Sequence, residues 1–353
     1  MVRSVTKQSV RQSVLGALGA AAIVLALGAA PAASQTKLEP LNPARTVKVA
    51  TVGQASDAVL YIAIEKGYFK DLGLDVNLVT FQSAATMVAP LGSGEIDVGG
   101  GAVSAGLWNA ELRNLGIRGV SDKGSTREGW SYFGLAVKKD SPIKECKDLK
   151  GKTLANASTS NGILHAIDIW LNICGLSLKD LTVKAMGYPD VVPALTNGAI
   201  DIGHLGEPLI ALNEKNGLIR VLKRQSELRP AEQIALLYYS AKFRGELEAS
   251  RRFMVAYVRA SKDYQEAYKN GRPPADWFIK IMQKYTKVQD PAVYAIAVPA
   301  GLDAWAEMNL DSMRSDFEWF KQQGLIISKD VKFEDPLDTS FTTFAKDYLT
   351  KVK

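Results

Sequence analysis

A nine-residue pattern occurs twice in this chain and limits its folding more than any other feature. Leu91-x-x-Gly94-x-Ile96-Asp97-Val98-Gly99 returns as Leu195-x-x-Gly198-x-Ile200-Asp201-Ile202-Gly203. Each copy closes a run of strands and helices in the same order. Before the first, Thr46 to Val52 is β-branched and bounded by Gly53, which reads as a buried strand. Asp57 offers an N-cap for a helix over Ala58 to Glu65, with Gly67 at its C-cap. A strand over Leu74 to Phe81, a helix over Ala84 to Leu91 and a strand at Ile96 to Gly99 follow. The second run reads as strand Thr153 to Asn156, helix Asn161 to Cys174, strand Leu181 to Met186, helix Val191 to Thr196 and strand Ile200 to Gly203. Strands alternating with helices at short spacing form parallel α/β sheets, so two copies predict two similar lobes.

Two further extended segments, Tyr132 to Val137 and Gln233 to Tyr239, lie between and after the copies. They predict two crossings between lobes, a hinge and a cleft. The expected organisation is a signal segment over 1–34, a flexible leader over 35–44, one lobe from 45–134 plus 236–353, and a second lobe from 135–235. The remainder reads as helical. In Arg251 to Asn270 the residues Phe253, Met254, Tyr257, Val258, Ser261, Tyr264 and Tyr268 follow one buried face. Further helices are expected at Ala275 to Tyr285, Asp290 to Val298, Asp311 to Gln323 and Phe341 to Leu349, packed on the first lobe.

Composition excludes several chemistries. Two cysteines and two histidines in 353 residues cannot build a Cys/His zinc cluster or a haem array. Arg3, Lys7 and Arg11 account for half of the +6 net charge, leaving no basic stripe for nucleic acid. Those three cations precede an apolar run from Val14 to Leu27 and the small residues Ala29 to Ser34, the layout of a secretory signal peptide cut after Ala32 or Ser34. A periplasmic product is expected. Cys146 and Cys174 fall at the end of the second lobe away from the cleft, either bridged or as two buried thiols.

In open parallel sheets ligands bind beyond the carboxyl ends of the strands. That rule selects the loops Gly53 to Asp57, Gln82 to Thr86, Gly99 to Ser104, Ser158 to Gly162, Gly187 to Asp190 and His204 to Pro208. They are rich in Gly, Ser, Thr and Asn and open helices, which suits an anionic or strongly polar small ligand. Ser158, Ser160 and Asn161 form the best single cluster, with N-capping as the structural alternative. Gly99-Gly100-Gly101 is either a close approach to ligand or a tight turn. Tyr188, Trp130 and Tyr132 are candidate ring contacts, Lys123 and Arg127 candidate anion contacts, and Glu207 and His204 polar contacts at a strand end. Asp97 and Asp201 recur in both copies, which favours a structural duty. His165 reads as a satisfied helix residue.

The chain resembles the periplasmic solute-binding proteins of ABC importers, in the family serving sulfonates, nitrate, taurine and thiamine precursors. The residues that carry this are YIAIEKGYFKDLGLDVNLV (Tyr61 to Val79), LGSGEIDVGGG (Leu91 to Gly101), KDLKGKTLA (Lys147 to Ala155), ALTNGAIDIGHLGEP (Ala194 to Pro208) and FMVAYVRASKDYQEAY (Phe253 to Tyr268). The resemblance implies a type II periplasmic-binding-protein fold of two α/β lobes joined by two hinge strands. By position it implies ligand contacts at Gln54, Ser83, Ala84, Gly101, Ser158, Ser160, Tyr188 and Glu207. It also implies a small-molecule ligand, a membrane permease as partner, and membrane contact only through that permease. Enzymatic relatives that build the thiamine pyrimidine use a cysteine-rich iron motif, which two distant cysteines cannot supply.

The reading that follows is a non-catalytic, monomeric receptor with no cofactor and no metal, for a sulfonate, taurine, nitrate, pyrimidine-precursor or aromatic acid. The rival readings are a secreted two-lobed lyase or deaminase using Glu207 and His204, and a ligand-sensing module for a membrane receptor.

Overall fold

The computed structural model describes residues 37–352; the expected signal segment over 1–34 lies outside the described residues. β1 (Arg45–Thr51), α1 (Ala58–Glu65), β2 (Leu74–Thr80), α2 (Ala84–Gly92), β3 (Val98–Ala102), α3 (Ala105–Leu112) and β4 (Arg118–Ser125) come first. β5 (Phe133–Lys138) leads into β6 (Thr153–Asn156), α4 (Gly162–Ile173), β7 (Thr182–Ala185), α5 (Tyr188–Thr196), β8 (Ile202–Gly206), α6 (Leu209–Lys215), β9 (Ile219–Arg224) and α7 (Gln225–Leu228). After β10 (Gln233–Tyr239) come α8 (Ala241–Gly245), α9 (Leu247–Ala267), α10 (Asp276–Tyr285), α11 (Pro291–Ile296), α12 (Leu310–Gln322) and α13 (Ser340–Lys351).

The strands form two sheets of five, ordered β2-β1-β3-β10-β4 and β7-β6-β8-β5-β9. The sheets share one plan. β1 pairs in parallel with β2 and β3, as β6 does with β7 and β8. β10 and β5 occupy the equivalent fourth place, each antiparallel to both neighbours. The repeat therefore has a structural counterpart: Val49 lies opposite Val98, and Leu154 opposite Ile202. The repeated acids do the same work in each lobe. Asp97 Oδ2 accepts the Lys48 N–H at 2.9 Å, and Asp201 Oδ2 accepts the Thr153 N–H at 2.8 Å, tying the start of the third strand to the first.

The predicted stripe of α9 is buried, and Phe253 stacks on Phe69 with ring centres 4.7 Å apart. Cys146 and Cys174 are joined in a disulfide, with Cα atoms 6.2 Å apart.

Three expectations need correction. Ser121 to Gly129 reads as a flexible stretch, yet Ser121 to Ser125 belong to β4, held by β10 on one side and by the Gly119 N–H donated to the Pro336 carbonyl on the other. Residues 38–41 belong to the expected leader, but Leu38 N–H donates to Tyr348 Oη, Arg252 Nε to the Glu39 carbonyl and Leu41 N–H to the Leu72 carbonyl. The helix at Asp311 to Gln323 packs on both lobes rather than on the first alone. Phe317 of α12 meets Trp108 of α3 at 5.3 Å, while Trp319 stacks on His165 of α4 at 5.1 Å. A bulky aromatic on each side of one helix buries more apolar surface as a wedge than on a single face.

Candidate functional site

A narrow cavity lies where the carboxyl ends of the parallel strands face each other. Val52, Ser56, Ser83, Ala84, Gly101, Ala102, Ser104 and Ile234 line it from the first sheet and its helices, and Phe133, Ala157, Ser158, Asn161 and Tyr188 from the second, with Tyr132 between. The lobes meet around it. Ala105 N–H donates to the Ser160 carbonyl at 3.0 Å and Gly162 N–H to the Val103 carbonyl at 3.0 Å, so the starts of α3 and α4 pair as a short antiparallel bridge. On another edge Ala55 N–H donates to the Glu207 carbonyl at 3.1 Å. These bonds join the two lobes across the mouth of the cavity.

Hydrogen-bond supply inside the cavity is unbalanced. Asn161 is the N-cap of α4, but its side chain does not bond to its own helix. Its Oδ1 accepts from Asn156 Nδ2 at 3.0 Å, and its Nδ2 has no partner among the described residues. Tyr132 Oη is fully buried beside the Ser56 hydroxyl, which opposes the burial-driven rise of the phenol, and its own proton finds no acceptor among the described residues. Burial pushes the Tyr132 and Tyr188 phenols up, so both stay protonated donors at neutral pH. Ser56 Oγ accepts from Lys123 Nζ at 3.0 Å, which leaves its own proton free to donate. Lys123 itself is spent on Asp57 at 2.7 Å, both side chains fully buried, so the pair behind the cavity adds little net charge. Ring contacts complete one wall: Phe133 lies 4.4 Å from Tyr132 and 5.5 Å from Tyr188.

Six of the ten expected ligand residues line this cavity: Ser83, Ala84, Gly101, Ser158, Asn161 and Tyr188. Gly101 belongs to a strand and not to a turn, and a Cβ there would stand 2.7 Å from the Ala84 Cβ, so glycine lets α2 approach β3. Gln54 and Ser160 sit just outside. Gln54 is buried with Oε1 unpartnered beside Gly206, while Ser160 turns its hydroxyl to within 3.4 Å of Ser158 Oγ.

Trp130 and Glu207 are elsewhere. Trp130 packs on Tyr264 and Tyr268 of α9 under the Arg127 guanidinium, 4.1 Å from the ring centre. That stack also takes Arg127 away from the cavity. The Glu207 carboxylate is already satisfied by Arg224 Nη1 at 2.8 Å, Ala211 N–H at 2.9 Å and Val298 N–H at 3.2 Å. Burial raises its pKa against the opposing charge of Arg224. His204, a further candidate contact, lies behind Phe133 with rings 4.8 Å apart and hydrogen-bonds Gln225 Oε1 at 3.2 Å; burial lowers its pKa to about 3. Ser56, Ser104 and Phe133 were not singled out from sequence. Ser56 and Ser104 belong to the selected loops, whereas Phe133 carries no polar signal and reads as hinge strand.

Two five-stranded α/β lobes, two crossings and an intervening cavity make up the type II periplasmic-binding-protein fold. A solved ligand-binding component of an ABC-type import system from Staphylococcus aureus shares it, with a TM-score of 0.71 at 14% identity over 85% of this chain and 99% of that one. The chain belongs to the NMT1/THI5-like family, whose model matches residues 54–266. A Bacillus subtilis (strain 168) protein named for binding aliphatic sulfonates is 32% identical over 167 residues, 45% of this chain and 48% of that protein. A 4-amino-5-hydroxymethyl-2-methylpyrimidine phosphate synthase of Aspergillus parasiticus is 29% identical over 221 residues, 59% of this chain and 62% of that enzyme. The chain thus spans about half to three-fifths of the length of these relatives.

Proposed function

We propose that the chain is the solute-binding component of an ABC-type importer. It captures a small polar or anionic organic solute between its lobes, outside the cytoplasmic membrane, and presents the closed form to a membrane permease. Residues 45–132 with 233–353 act as one lobe and 133–232 as the other, the boundaries moving from 134/135 and 235/236 because β5 begins at Phe133 in the second sheet and β10 at Gln233 in the first, with α12 wedged across both. Ser83, Ala84, Gly101, Ser158, Asn161 and Tyr188 are the proposed ligand contacts, joined by Ser56 and Tyr132.

The observation that carries this reading is a pair of buried donors, Tyr132 Oη and Asn161 Nδ2, that find no acceptor among the described residues, in a cavity between lobes. A buried polar group without a partner is costly, and a bound acceptor removes the cost. Oxygen acceptors of a sulfonate, a carboxylate or a ring carbonyl fit this donor set. Similarity to the sulfonate-named relative supports the same class.

The synthase relative favours a second reading, an enzyme. Against it, both cysteines are consumed in one disulfide, the Glu207 carboxylate is fully engaged, and His204 is enclosed behind Phe133. Incubating the purified protein with sulfonates, taurine, nitrate, aromatic acids and pyrimidines decides between them. A receptor shows a thermal shift with the compound recovered unchanged, whereas turnover contradicts the proposal.

A further inference from the structure

Glu232 is the last residue before β10, where the chain passes from the second sheet to the first. Its backbone is bound to the first sheet's side. Its N–H donates to Thr126 Oγ1 and its carbonyl accepts from the Thr126 N–H, both at 2.8 Å. Its side chain reaches the other way, to α7. Gln225 Nε2 donates to Glu232 Oε2 at 2.8 Å, and Gln225 Oε1 lies 3.2 Å from His204 Nε2 in β8. Rotation of one lobe against the other therefore acts on the contact between Glu232 and Gln225.

A second buried carboxylate sits beside it. Asp316 of α12 accepts from Arg229 Nη1 and lies 2.7 Å from His165 Nδ1 of α4. Arg229 also donates to the Ser312 carbonyl at 2.7 Å, which commits the guanidinium to α12. The groups around Glu232 are thus Arg229 on its own connector, Asp316 on α12, His165 on α4, and His204 on β8 through Gln225. Asp122 of β4 is turned to Gln233, whose Nε2 donates to it at 2.6 Å. Arg229 forms its ion pair with Asp316 and acts on Glu232 only through its charge. Among the described residues Glu232 Oε1 and Asp316 Oδ2 have no donor. Burial and the charge of Asp316 both push the Glu232 carboxyl up, against Arg229 and Gln225. The cluster touches the cavity wall, because a Cβ on Gly162, the first residue of α4, would stand 2.6 Å from Asp316 Oδ2. Asn161 is the next residue back.

We propose that Glu232 takes up a proton from solvent when the lobes close and returns it when they open, so that closure over the cavity weakens as pH rises. This rests on the lobe-closure reading above. A carboxyl neutral in the closed state and ionised in the open one makes low pH favour closure.

The test uses the full mature chain without added solute, carrying spin labels at Glu95→Cys and Lys179→Cys, exposed positions preceding β3 and β7. Inter-label distances are measured from about pH 5.5 to about pH 9. The expected result is two populations whose open-to-closed ratio rises with pH, by at most ~10-fold per pH unit for one proton. Glu232→Gln, neutral at every pH, keeps the ratio flat and closed. A flat ratio in the unmutated protein, or an unchanged slope in Glu232→Gln, overturns the inference. Two populations with a flat ratio overturn the proton coupling alone; one distance at every pH that also stays unchanged on adding the compound that gives the thermal shift overturns lobe closure as well. Should Glu232→Gln not fold, Gln225→Leu removes the donor that favours the ionised carboxylate, and an unmoved midpoint then refutes the assignment.

Discussion

Replacing Tyr132 with phenylalanine removes one oxygen from the cavity wall and leaves the packing of the ring on Phe133 in place. That oxygen is fully buried beside Ser56, and its proton finds no acceptor among the described residues. Leaving a buried hydroxyl unsatisfied costs about 1–3 kcal/mol, so Tyr132→Phe should leave the empty protein as stable as before or more so by up to that amount. With solute bound, the same hydroxyl gains an acceptor. Its loss should then weaken binding by about 1–3 kcal/mol, roughly 5- to 150-fold in Kd. The two effects differ in sign, which distinguishes a ligand donor from a structural one. Urea unfolding of the empty protein gives the first, and calorimetric titration with whichever compound produces the thermal shift gives the second. A variant that loses stability while binding normally would refute the argument, because the hydroxyl would then have a protein partner.

Other outcomes follow from the buried groups. Lys123→Met should destabilise by about 3–5 kcal/mol by stranding Asp57, and Asp57→Asn added to it should recover a large part; a double-variant loss in urea equal to the sum of the two single losses would show the pair to be uncoupled. His204 stays neutral in the folded protein down to about 3, whereas the unfolded chain binds a proton below 6.5. Its share of stability is therefore present above pH 6.5 and lost as pH falls toward 3, so His204→Gln should flatten the acid side of the unfolding profile; an unchanged profile contradicts the burial argument. Reducing the disulfide between Cys146 and Cys174, which closes a loop of sequence separation 28, should cost ~3.5 kcal/mol by unfolded-chain entropy. A thiol count of two on unfolded, unreduced protein would remove the bridge itself.

The doubled pattern was legible because its strands are rich in β-branched residues and its acids recur in register, so the three parallel strands of each sheet and the loops at their carboxyl ends could be placed from sequence. Asn161 and Tyr188 came from that placement. β4 was not legible: RGVSDKGS has the composition of a loop, and its burial comes from distant segments, β10 along one edge, the chain at Gly301, Ala306 and Pro336 along the other, and Tyr257 of α9 donating to the Asp122 carbonyl. Lys123 reads as an exposed anion contact until Asp57, far away in sequence, is seen beside it. Glu207 misled for the same reason, since Arg224 and Val298, which satisfy it, come from distant segments. Local composition reports a residue's propensity, and burial of charge depends on partners that only the tertiary fold supplies.

The central claim is that the cavity holds one small solute and does not transform it. Native mass spectrometry of the protein as purified, before and after unfolding and refolding, tests it most directly. The account predicts a single small adduct per chain that is lost on refolding, restored by adding the released compound, and recovered chemically unchanged. A chain that carries no adduct and accepts none of the candidate solutes, or one that returns the compound altered, would contradict it.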